Sequence, residues 1–366
     1  MKLISVFNNK GGVGKTTLTF HLAHALSELG HKTLMIDLDP QCNLTILCLP
    51  EEYIHRIWQD EDAYIDDFRS SRNKSTIEQF DALTQATRTI HFLLKPTEDG
   101  VTDVELLAKP HPLGNKLDLI PGRLSMHLYE DKISGRWSDV YQGDPLAIRT
   151  ITRIREIAQE YAMKYGYEYV VVDTSPSLGT LNKVIISTAD GFLIPCMPDL
   201  FSLYGIKNIG NALGIWEKQF RTIYNLLSNE KRKAFPPDFV RLLGFTIFNA
   251  KKYSGEKNRW DLAAGHYNYA QQIPVAIQDY IPQNIRSNFG EEVMNLPIGG
   301  TAIMHTHNTL PSMAQKYHKP MWLLPTSHLD PNDAMTIKGN RAAYEDTRSK
   351  YHKFAGDLLA RLSALK

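Results

Sequence analysis

The sequence predicts an α/β protein with a doubly wound, mostly parallel β-sheet and helices on both faces. Short apolar runs, typical of buried strands, alternate along the chain with segments in which apolar residues recur at helical spacing. Some of these runs end in an acidic side chain, as at Asp37 and Asp173. Because open parallel sheets bind ligands at the carboxyl ends of their strands, we expect the functional site at that edge.

The predicted elements follow one another in the order that such a sheet requires. The predicted strands are the apolar runs at residues 2–7, 32–39, 116–122 (with its turn), 168–173, 191–195 and 242–249. Apolar stripes with helical spacing predict helices at residues 15–29, 144–164, 202–226 and 341–366. A further helix is predicted at residues 79–92, running into an apolar stretch.

The length suits one large domain, and we predict a single domain over residues 1–366. Residues 46–115 and 250–280 are predicted insertions. The first is long for a connection, so it should carry its own helices, either as a surface decoration or as a partner-binding element. The basic helix at residues 341–366 either packs on the sheet as the final helix or lies on a membrane surface.

The charge balance gives little information about partners. The chain has 41 Lys and Arg residues against 40 Asp and Glu residues, so any nucleic-acid surface must be a local patch. The three cysteines, Cys42, Cys48 and Cys196, lack metal-site spacing and fit a reducing cytosol. We find no signal peptide and no apolar run of membrane-spanning length, which predicts a cytoplasmic protein.

Residues 8–17 read NNKGGVGKTT and lie between the first strand and the first helix, which predicts a phosphate-binding loop. The glycines let several backbone N–H groups point into one concavity, and the following helix adds its positive N-terminal end. Lys15 is expected to contact the β- and γ-phosphates, and the Thr16 hydroxyl is expected to bind Mg²⁺. The full set of predicted nucleotide-binding residues in the loop is Gly11, Gly12, Val13, Gly14, Lys15, Thr16 and Thr17.

This loop departs from the usual G-x-x-x-x-G-K-[ST] pattern, because Asn9 stands at its first glycine and Lys10 precedes Gly11. With this second lysine, KGGVGKTT resembles the deviant Walker A loop of the ParA/MinD family of P-loop ATPases. The resemblance implies that Lys10 acts like an arginine finger, crossing a dimer interface to touch the partner's nucleotide. Without the resemblance, the segment would be a glycine-rich turn with two surface lysines.

Two acidic segments strengthen the resemblance. Residues 37–41, DLDPQ, resemble the D-x-D-P-Q segment of ParA-type ATPases, and residues 170–179, VVVDTSPSLG, resemble their Walker B strand. The resemblance implies that Asp39 orients the attacking water, while Asp37 and Asp173 serve the Mg²⁺ ion. Phosphoryl transfer needs this positioned water and charge neutralisation more than covalent help. Taken alone, each segment would be a strand followed by a turn.

Three later positions are less specific. Asn249 follows the last predicted strand, and by the resemblance it is a candidate for adenine recognition, because an amide can both donate and accept at the base edge. A turn-forming asparagine is the alternative. Residues 197–206 resemble a family stretch near the dimer interface and the nucleotide, and Ile281–Pro282 resembles a further strand of the family.

Two basic clusters predict a surface for DNA. They are Lys231, Arg232 and Lys233, and then Lys251, Lys252, Lys257 and Arg259, which are interleaved with Tyr253 and Trp260. Positive side chains on one face bind phosphates without sequence preference and in a salt-sensitive way. The resemblance raises this expectation, because family members bind DNA non-specifically as ATP-bound dimers.

The resemblance implies a switch ATPase that hydrolyses ATP to ADP and phosphate with Mg²⁺ and forms a homodimer on ATP binding. It would segregate or position DNA or other cargo, with an adaptor protein that stimulates hydrolysis, and it would be nucleoid-associated if it binds DNA. The alternatives are a MinD-like membrane-surface ATPase and an ATPase subunit of a larger protein complex. Of the partners considered, we do not expect a membrane. Because the loop begins at residue 8, we expect no helix-turn-helix domain before it.

Overall fold

The computed structural model describes residues 1–101, 107–233, 235–253, 258–286 and 289–365. Over these residues the chain forms a seven-stranded sheet with helices on both faces, so the predicted fold class is confirmed. The strands are β1 (Lys2–Val6), β2 (Thr33–Asp37), β3 (His111–Gly114), β4 (Leu117–Ile120), β5 (Tyr169–Asp173), β6 (Gly191–Cys196) and β7 (Arg241–Ile247).

The helices connect these strands and extend beyond the last of them. In chain order they are α1 (Lys15–Glu28), α2 (Asn43–Cys48), α3 (Glu51–Asp66), α4 (Phe68–Lys74), α5 (Ile77–Thr84), α6 (Ile90–Glu98), α7 (Met126–Val140), α8 (Pro145–Tyr165), α9 (Thr180–Thr188), α10 (Leu200–Leu226), α11 (Asn229–Arg232), α12 (Ala264–Ala270), α13 (Ile273–Tyr280), α14 (Glu291–Met294), α15 (Leu310–Tyr317), α16 (Pro331–Gly339) and α17 (Arg341–Ser363). A short 3₁₀ helix, Met321–Thr326, lies between α15 and α16.

The sheet has the order β3-β4-β2-β5-β1-β6-β7. The pairs are parallel except for β3 and β4, which pair antiparallel at the edge. In this register Asp173 lies opposite Val6 of β1 on one side and Asp37 of β2 on the other. The sheet therefore brings the two acids together beside the point where the chain leaves β1.

Alternate residues of the central strand face two different layers of helices. Leu3 packs into the larger apolar cluster, which includes residues of α8, α9 and α10. Ile4 and Val6 pack into a second cluster with residues of α1, α17 and the 3₁₀ helix. This period of two is what a strand buried on both faces requires.

The predicted helix at residues 79–92 is wrong, because α5 ends at Thr84 and α6 begins at Ile90. Thr89 caps α6 by accepting a hydrogen bond from the N–H of Phe92. Its own backbone N–H and hydroxyl donate to Glu61, each at 2.6 Å. A partner 28 residues away therefore fixes this break, and periodicity alone does not reveal it.

Residues 46–115 carry α3 to α6, as expected of a segment of this length, but α6 is not a surface decoration. Each of its nine residues is buried, and it packs against α3, α7 and α8. Its apolar side chains belong to the larger apolar cluster. This part of the segment is therefore built into the core of the domain.

The strand suggested by Ile281–Pro282 is also not formed. These residues directly follow α13, and the backbone N–H of Leu242 donates to the carbonyl of Ile285 at 2.8 Å, at an isolated bridge between Leu242 and Arg286. The chain therefore touches the edge of β7 at this point without continuing the sheet.

The C-terminal helix α17 packs on the fold along its apolar side. Tyr351, Phe354, Leu358 and Leu362 are buried, and α17 contacts α1, β7 and the 3₁₀ helix. This packing favours the final-helix interpretation over the membrane-surface one, since the apolar face that a membrane would bind is already covered. Among the described residues, no helix has both the length and the apolar character needed to cross a membrane.

A buried aromatic cluster joins α1 to α17. The ring of His21 stacks on Tyr351, with ring centroids 5.0 Å apart, and contacts Trp322. Its Nδ1 donates to the carbonyl of Thr17 at 2.8 Å, and its Nε2 accepts from the backbone N–H of Met321 at 3.3 Å. Burial lowers the pKa of His21 to about 3, so the ring is neutral in the folded protein.

We expect this histidine to destabilise the protein as the pH falls. The pKa of His21 is about 6.5 in the unfolded chain, so below that pH the unfolded state binds the extra proton. The free energy of unfolding should then drop by about 1.4 kcal/mol per pH unit until the folded-state pKa is reached. Urea unfolding at pH 7 and pH 4.5 should show that the wild type loses about 2 to 3 kcal/mol more than His21→Asn. Equal losses in the two proteins would contradict this role for His21.

Candidate functional site

The glycine-rich loop leaves β1 and enters α1 at the carboxyl edge of the sheet. Val13 is fully buried and anchors the loop. Gly12 and Gly14 have φ angles of 73° and 81°, in the left-handed region that favours glycine. At Gly14, a Cβ atom would also come within 2.3 Å of the Phe248 ring. Both the left-handed backbone and this steric clash therefore exclude a side chain at this position.

Lys15 lies at the start of α1 under this loop. Its Nζ donates to the carbonyl oxygen of Lys10 at 3.1 Å, so the side chain folds back across the concavity that the loop encloses. Burial lowers the pKa of Lys15, while the nearby carboxylates of Asp173 and Asp39 act in the opposite direction. A buried ammonium in a glycine-rich loop at the N-terminus of a helix is suited to binding an anion such as a phosphate.

The carboxylates predicted from the sequence meet at the same edge. Asp37 and Asp173 are fully buried in neighbouring strands, and burial raises the pKa of Asp37 to about 7 and that of Asp173 to about 8. Burial also raises the pKa of Asp39. These acids are costly to ionise without a counter-charge. Among the described residues no three acidic, histidine or cysteine side chains form a metal-binding group, so a cation at this edge would also need other oxygen ligands such as a hydroxyl.

The hydrogen bonds of these acids separate their roles. The Asp173 Oδ2 accepts from the hydroxyl of Thr16 at 2.7 Å, so a hydroxyl and a carboxylate already meet at one point. The Asp37 Oδ2 accepts twice from Thr45, from the backbone N–H at 2.8 Å and from the hydroxyl at 2.6 Å. Oxygen ligands of this kind fit Mg²⁺, and Thr16 with Asp173 is the pair best placed to hold it.

Lys10 is held within its own chain. Its Nζ forms an ion pair with Asp199, which also caps α10 by accepting from the N–H of Ser202 at 2.8 Å. The same Nζ lies 5.6 Å from the ring centroid of Phe201, whose side chain is 71% exposed. Residues 197–206, singled out in the sequence, therefore contact the predicted finger lysine directly.

A cavity of about 470 Å³ opens above the loop, within the range of roughly 300 to 1,000 Å³ typical of small-molecule sites. It brings together Gly11, Gly12, Gly14, Lys15, Thr16, Thr17 and Asp39 from the prediction. It also contains residues that the sequence analysis missed, which are Gln41, Asn43, Leu47, Pro176, Phe248, Pro311, Ser312 and Gln315.

Some of these missed residues lie close in sequence to a predicted site residue, and others do not. Gln41, Asn43 and Pro176 lie two to four positions after a predicted acid, so their proximity in sequence was a usable signal. Phe248 precedes Asn249 in the sequence, but Asn249 itself is exposed, has a φ angle of 60° and does not line the cavity. This conformation is the turn geometry expected of the alternative interpretation. Nothing in the sequence pointed to α15.

A sequence profile of the AAA domain family (AAA_31) matches residues 1–225. An uncharacterised protein, MJECL24, from Methanocaldococcus jannaschii is 30% identical over 207 residues, which cover 57% of this chain and 63% of that protein. The chromosome partitioning protein ParA from Myxococcus xanthus is 27% identical, with 58% of each chain covered. The uncharacterised protein Rv1708 from Mycobacterium tuberculosis is 27% identical over 206 residues, which cover 56% of this chain and 49% of that protein. The chain thus spans about half to two thirds of these relatives.

Solved structures share the architecture. Protein DIP2308 from Corynebacterium diphtheriae superposes with a TM-score of 0.57 at 26% identity, covering 77% of this chain and 89% of its own. An ATP complex of an McdA variant from Cyanothece has a TM-score of 0.55 at 17% identity, with 99% of this chain and 96% of that one covered. At this lower identity the likeness supports the fold alone.

Proposed function

Because this chain belongs to the AAA domain family AAA_31 and to the ParA/MinD ATPases, we propose that it is an ATP-dependent switch. In this proposal ATP joins two copies of the chain, the dimer binds DNA without sequence preference, and hydrolysis to ADP and phosphate releases it. The switch would segregate or position DNA or another cargo. An adaptor protein would stimulate hydrolysis, and the protein would act in the cytoplasm at the nucleoid.

One observation carries this proposal. A single cavity is lined by the glycine loop, the buried Lys15, the Thr16 hydroxyl and Asp39, and Thr16 is hydrogen-bonded to Asp173 at its edge. A phosphate cradle, a cation site and an acid that can orient water are the parts that hydrolysis of a nucleoside triphosphate requires.

Each predicted residue receives a role in this arrangement. Lys15 would neutralise the β- and γ-phosphates, and Asp39 would orient the attacking water. Thr16 and Asp173 would hold Mg²⁺, which supplies charge neutralisation between the phosphate oxygens when bound. Asp37, which Thr45 holds by two hydrogen bonds, would support the Mg²⁺ shell. The backbone of Gly11, Gly12, Val13, Gly14 and Thr17 would complete the phosphate cradle, and Asn249 stays a candidate at the base.

Lys10 would act on the nucleotide of the partner subunit. In the single chain its ammonium is paired with Asp199, and contact with the partner's nucleotide would compete with this ion pair. The exposed rings and side chains beside it, Leu200, Phe201 and Tyr204, offer apolar surface for a second copy of the chain. The ion pair with Asp199 is then the resting position of this lysine in the single chain.

We expect Lys10→Ala to keep ATP binding but to lose the ATP-dependent dimer, since it removes the contact across the interface together with the ion pair to Asp199. Light scattering during gel filtration with ATP and with ADP measures this, and the dimer fraction with ATP should fall to the level seen with ADP. Lys164→Ala is the matched control, because Lys164 lies at the end of α8 near the amino end of β5, at the opposite edge of the sheet. A stable ATP dimer of Lys10→Ala would remove the trans role.

The two basic clusters differ in their availability for DNA. In the first, Lys231 donates to the carbonyl of Gly143 at 2.5 Å and Lys233 forms an ion pair with Glu230. In the second, Lys251 and Lys252 are exposed, while Arg259 lies over the Trp260 ring at 4.0 Å. Lys257 lies outside the described residues. We therefore assign the DNA surface to the second cluster.

The names of the relatives support a role in partition. The ParA relatives from Myxococcus xanthus and Caulobacter vibrioides are both named as chromosome partitioning proteins. These names describe those proteins, and the cargo of this chain is part of the proposal.

A further inference from the structure

The cavity above the loop has a wall that comes from the C-terminal third of the chain. Pro311, Ser312 and Gln315, all on α15, line the same space as the loop residues. These residues lie beyond residues 1–225, which the family profile covers. We propose that Ser312 and Gln315 bind the edge of the nucleobase, an inference that rests on the proposed nucleotide-binding function.

The position of α15 relative to the phosphate cradle supports this assignment. The loop residues Lys15, Thr16 and Thr17 would contact the phosphates, so the rest of the cavity is available to the sugar and the base. Phe248, whose ring touches Gly14, and Leu47 of α2 provide apolar surface there. A pocket with apolar walls and a few polar groups is the usual design for a base.

Contacts outside the cavity hold α15 in place. At its end, the ring Nδ1 of His318 donates to the carbonyl of Leu47 at 3.2 Å, which ties α15 to α2. On another side, Lys316 forms an ion pair with Asp333 of α16. The wall is thus anchored on both neighbouring helices, and a base that enters the cavity meets side chains on a fixed backbone.

The two polar side chains differ in what they offer. The Ser312 hydroxyl donates to the carbonyl of Thr309 at 2.7 Å, so its oxygen has only acceptor capacity left for a ligand. Within the described ranges, the Gln315 side chain makes no hydrogen bond, and it is exposed. An amide can donate and accept at once, so the pair matches the amino group of adenine and the ring nitrogen beside it.

A single substitution tests this chemistry with a direction. In Gln315→Glu, the carboxylate only accepts hydrogen bonds, so it loses the donor that adenine needs and suits the two neighbouring N–H donors of guanine. The added charge repels the phosphates of ATP and GTP equally, so the ratio of their affinities reports the base contact. We expect this ratio to move toward GTP by about tenfold or more, and Gln315→Ala to weaken ATP about fivefold to tenfold.

Calorimetric titration of ATP, GTP and tripolyphosphate, each with Mg²⁺, gives the affinities. Tripolyphosphate has no base, so Gln315→Ala should bind it as the wild type does. The matched control is Lys319→Ala, which removes an exposed side chain just beyond the end of α15 that does not line the cavity. Its affinity for ATP and its ratio of ATP to GTP should equal those of the wild type.

The outcomes separate this inference from the function on which it rests. If the wild type binds neither tripolyphosphate nor ATP, the phosphate cradle itself is wrong. If it binds both, and neither Gln315 variant changes the affinity for ATP or the ratio, Gln315 does not read the base and the inference alone fails. A ratio that changes in Asn249→Ala instead would assign the base to the turn after β7.

Discussion

Replacing Lys15 with alanine should abolish nucleotide binding. The ammonium lies in a cavity with the open backbone of the loop, and it is the charge available there to the β- and γ-phosphates. Losing a buried charge that pairs with a ligand costs about 2 to 5 kcal/mol, so the affinity for Mg²⁺-ATP should fall by about thirtyfold to several thousandfold. Titration calorimetry with ATP and a non-hydrolysable analogue measures the change.

The contradicting result for Lys15→Ala is an ATP affinity within a few-fold of the wild type, which would remove the phosphate-loop assignment. Lys164→Ala is the control, because it removes a lysine at the opposite edge of the sheet, away from the cavity. Melting curves of both proteins without nucleotide show whether any loss comes from unfolding. Loss of binding in a protein that melts normally supports the role of Lys15 in the cradle.

The second large effect is expected at Asp39. Asp39→Ala should bind Mg²⁺-ATP and hydrolyse it about 10² to 10⁴ times more slowly, since a side chain that positions and activates water contributes on that scale. The Asp39 Oδ1 accepts from the backbone N–H of Gln41 at 2.9 Å, so alanine also frees the turn. Asp39→Asn keeps an acceptor for that N–H and should be similarly slow. Phosphate release under single-turnover conditions measures the rate.

The slow Asp39→Ala protein also tests the DNA step. If the ATP form binds DNA, this variant should stay on non-specific duplex DNA with ATP and leave it with ADP. Retention should fall as salt rises, because phosphate contacts release counterions. Wild-type turnover would take Asp39 out of the catalytic role. If the ATP dimer forms but does not bind DNA even at low salt, the DNA-binding hypothesis is wrong. The switch would then act on a protein complex instead.

The parts of the site that were predictable are those carried by contiguous segments. The loop from Asn8 to Thr17 and the acids at Asp37, Asp39 and Asp173 are local patterns, and the parallel register brings them to one edge. A strand that ends in an acid is informative in a parallel sheet, because all such ends meet at the same edge.

The parts that were not predictable depend on partners distant in sequence. The ion pair of Lys10 joins residues 189 positions apart. The break in the helix before α6 depends on the hydrogen bond between Thr89 and Glu61. The position of α15 beside the cavity depends on a contact between His318 and Leu47, which are 271 positions apart. Periodicity describes single elements, so it does not contain these tertiary contacts.

The burial of α6 sets a limit on how this chain can be simplified. An engineer seeking a minimal ATPase would be tempted to delete residues 46–115 and join the ends. The deletion would strip apolar side chains such as Ile90, Phe92 and Leu93 from between α7 and α8. The remaining protein would expose to water the apolar surfaces of α7 and α8 that α6 now covers. Such a patch promotes aggregation, so the ATPase activity of the shortened protein would be lost with its solubility.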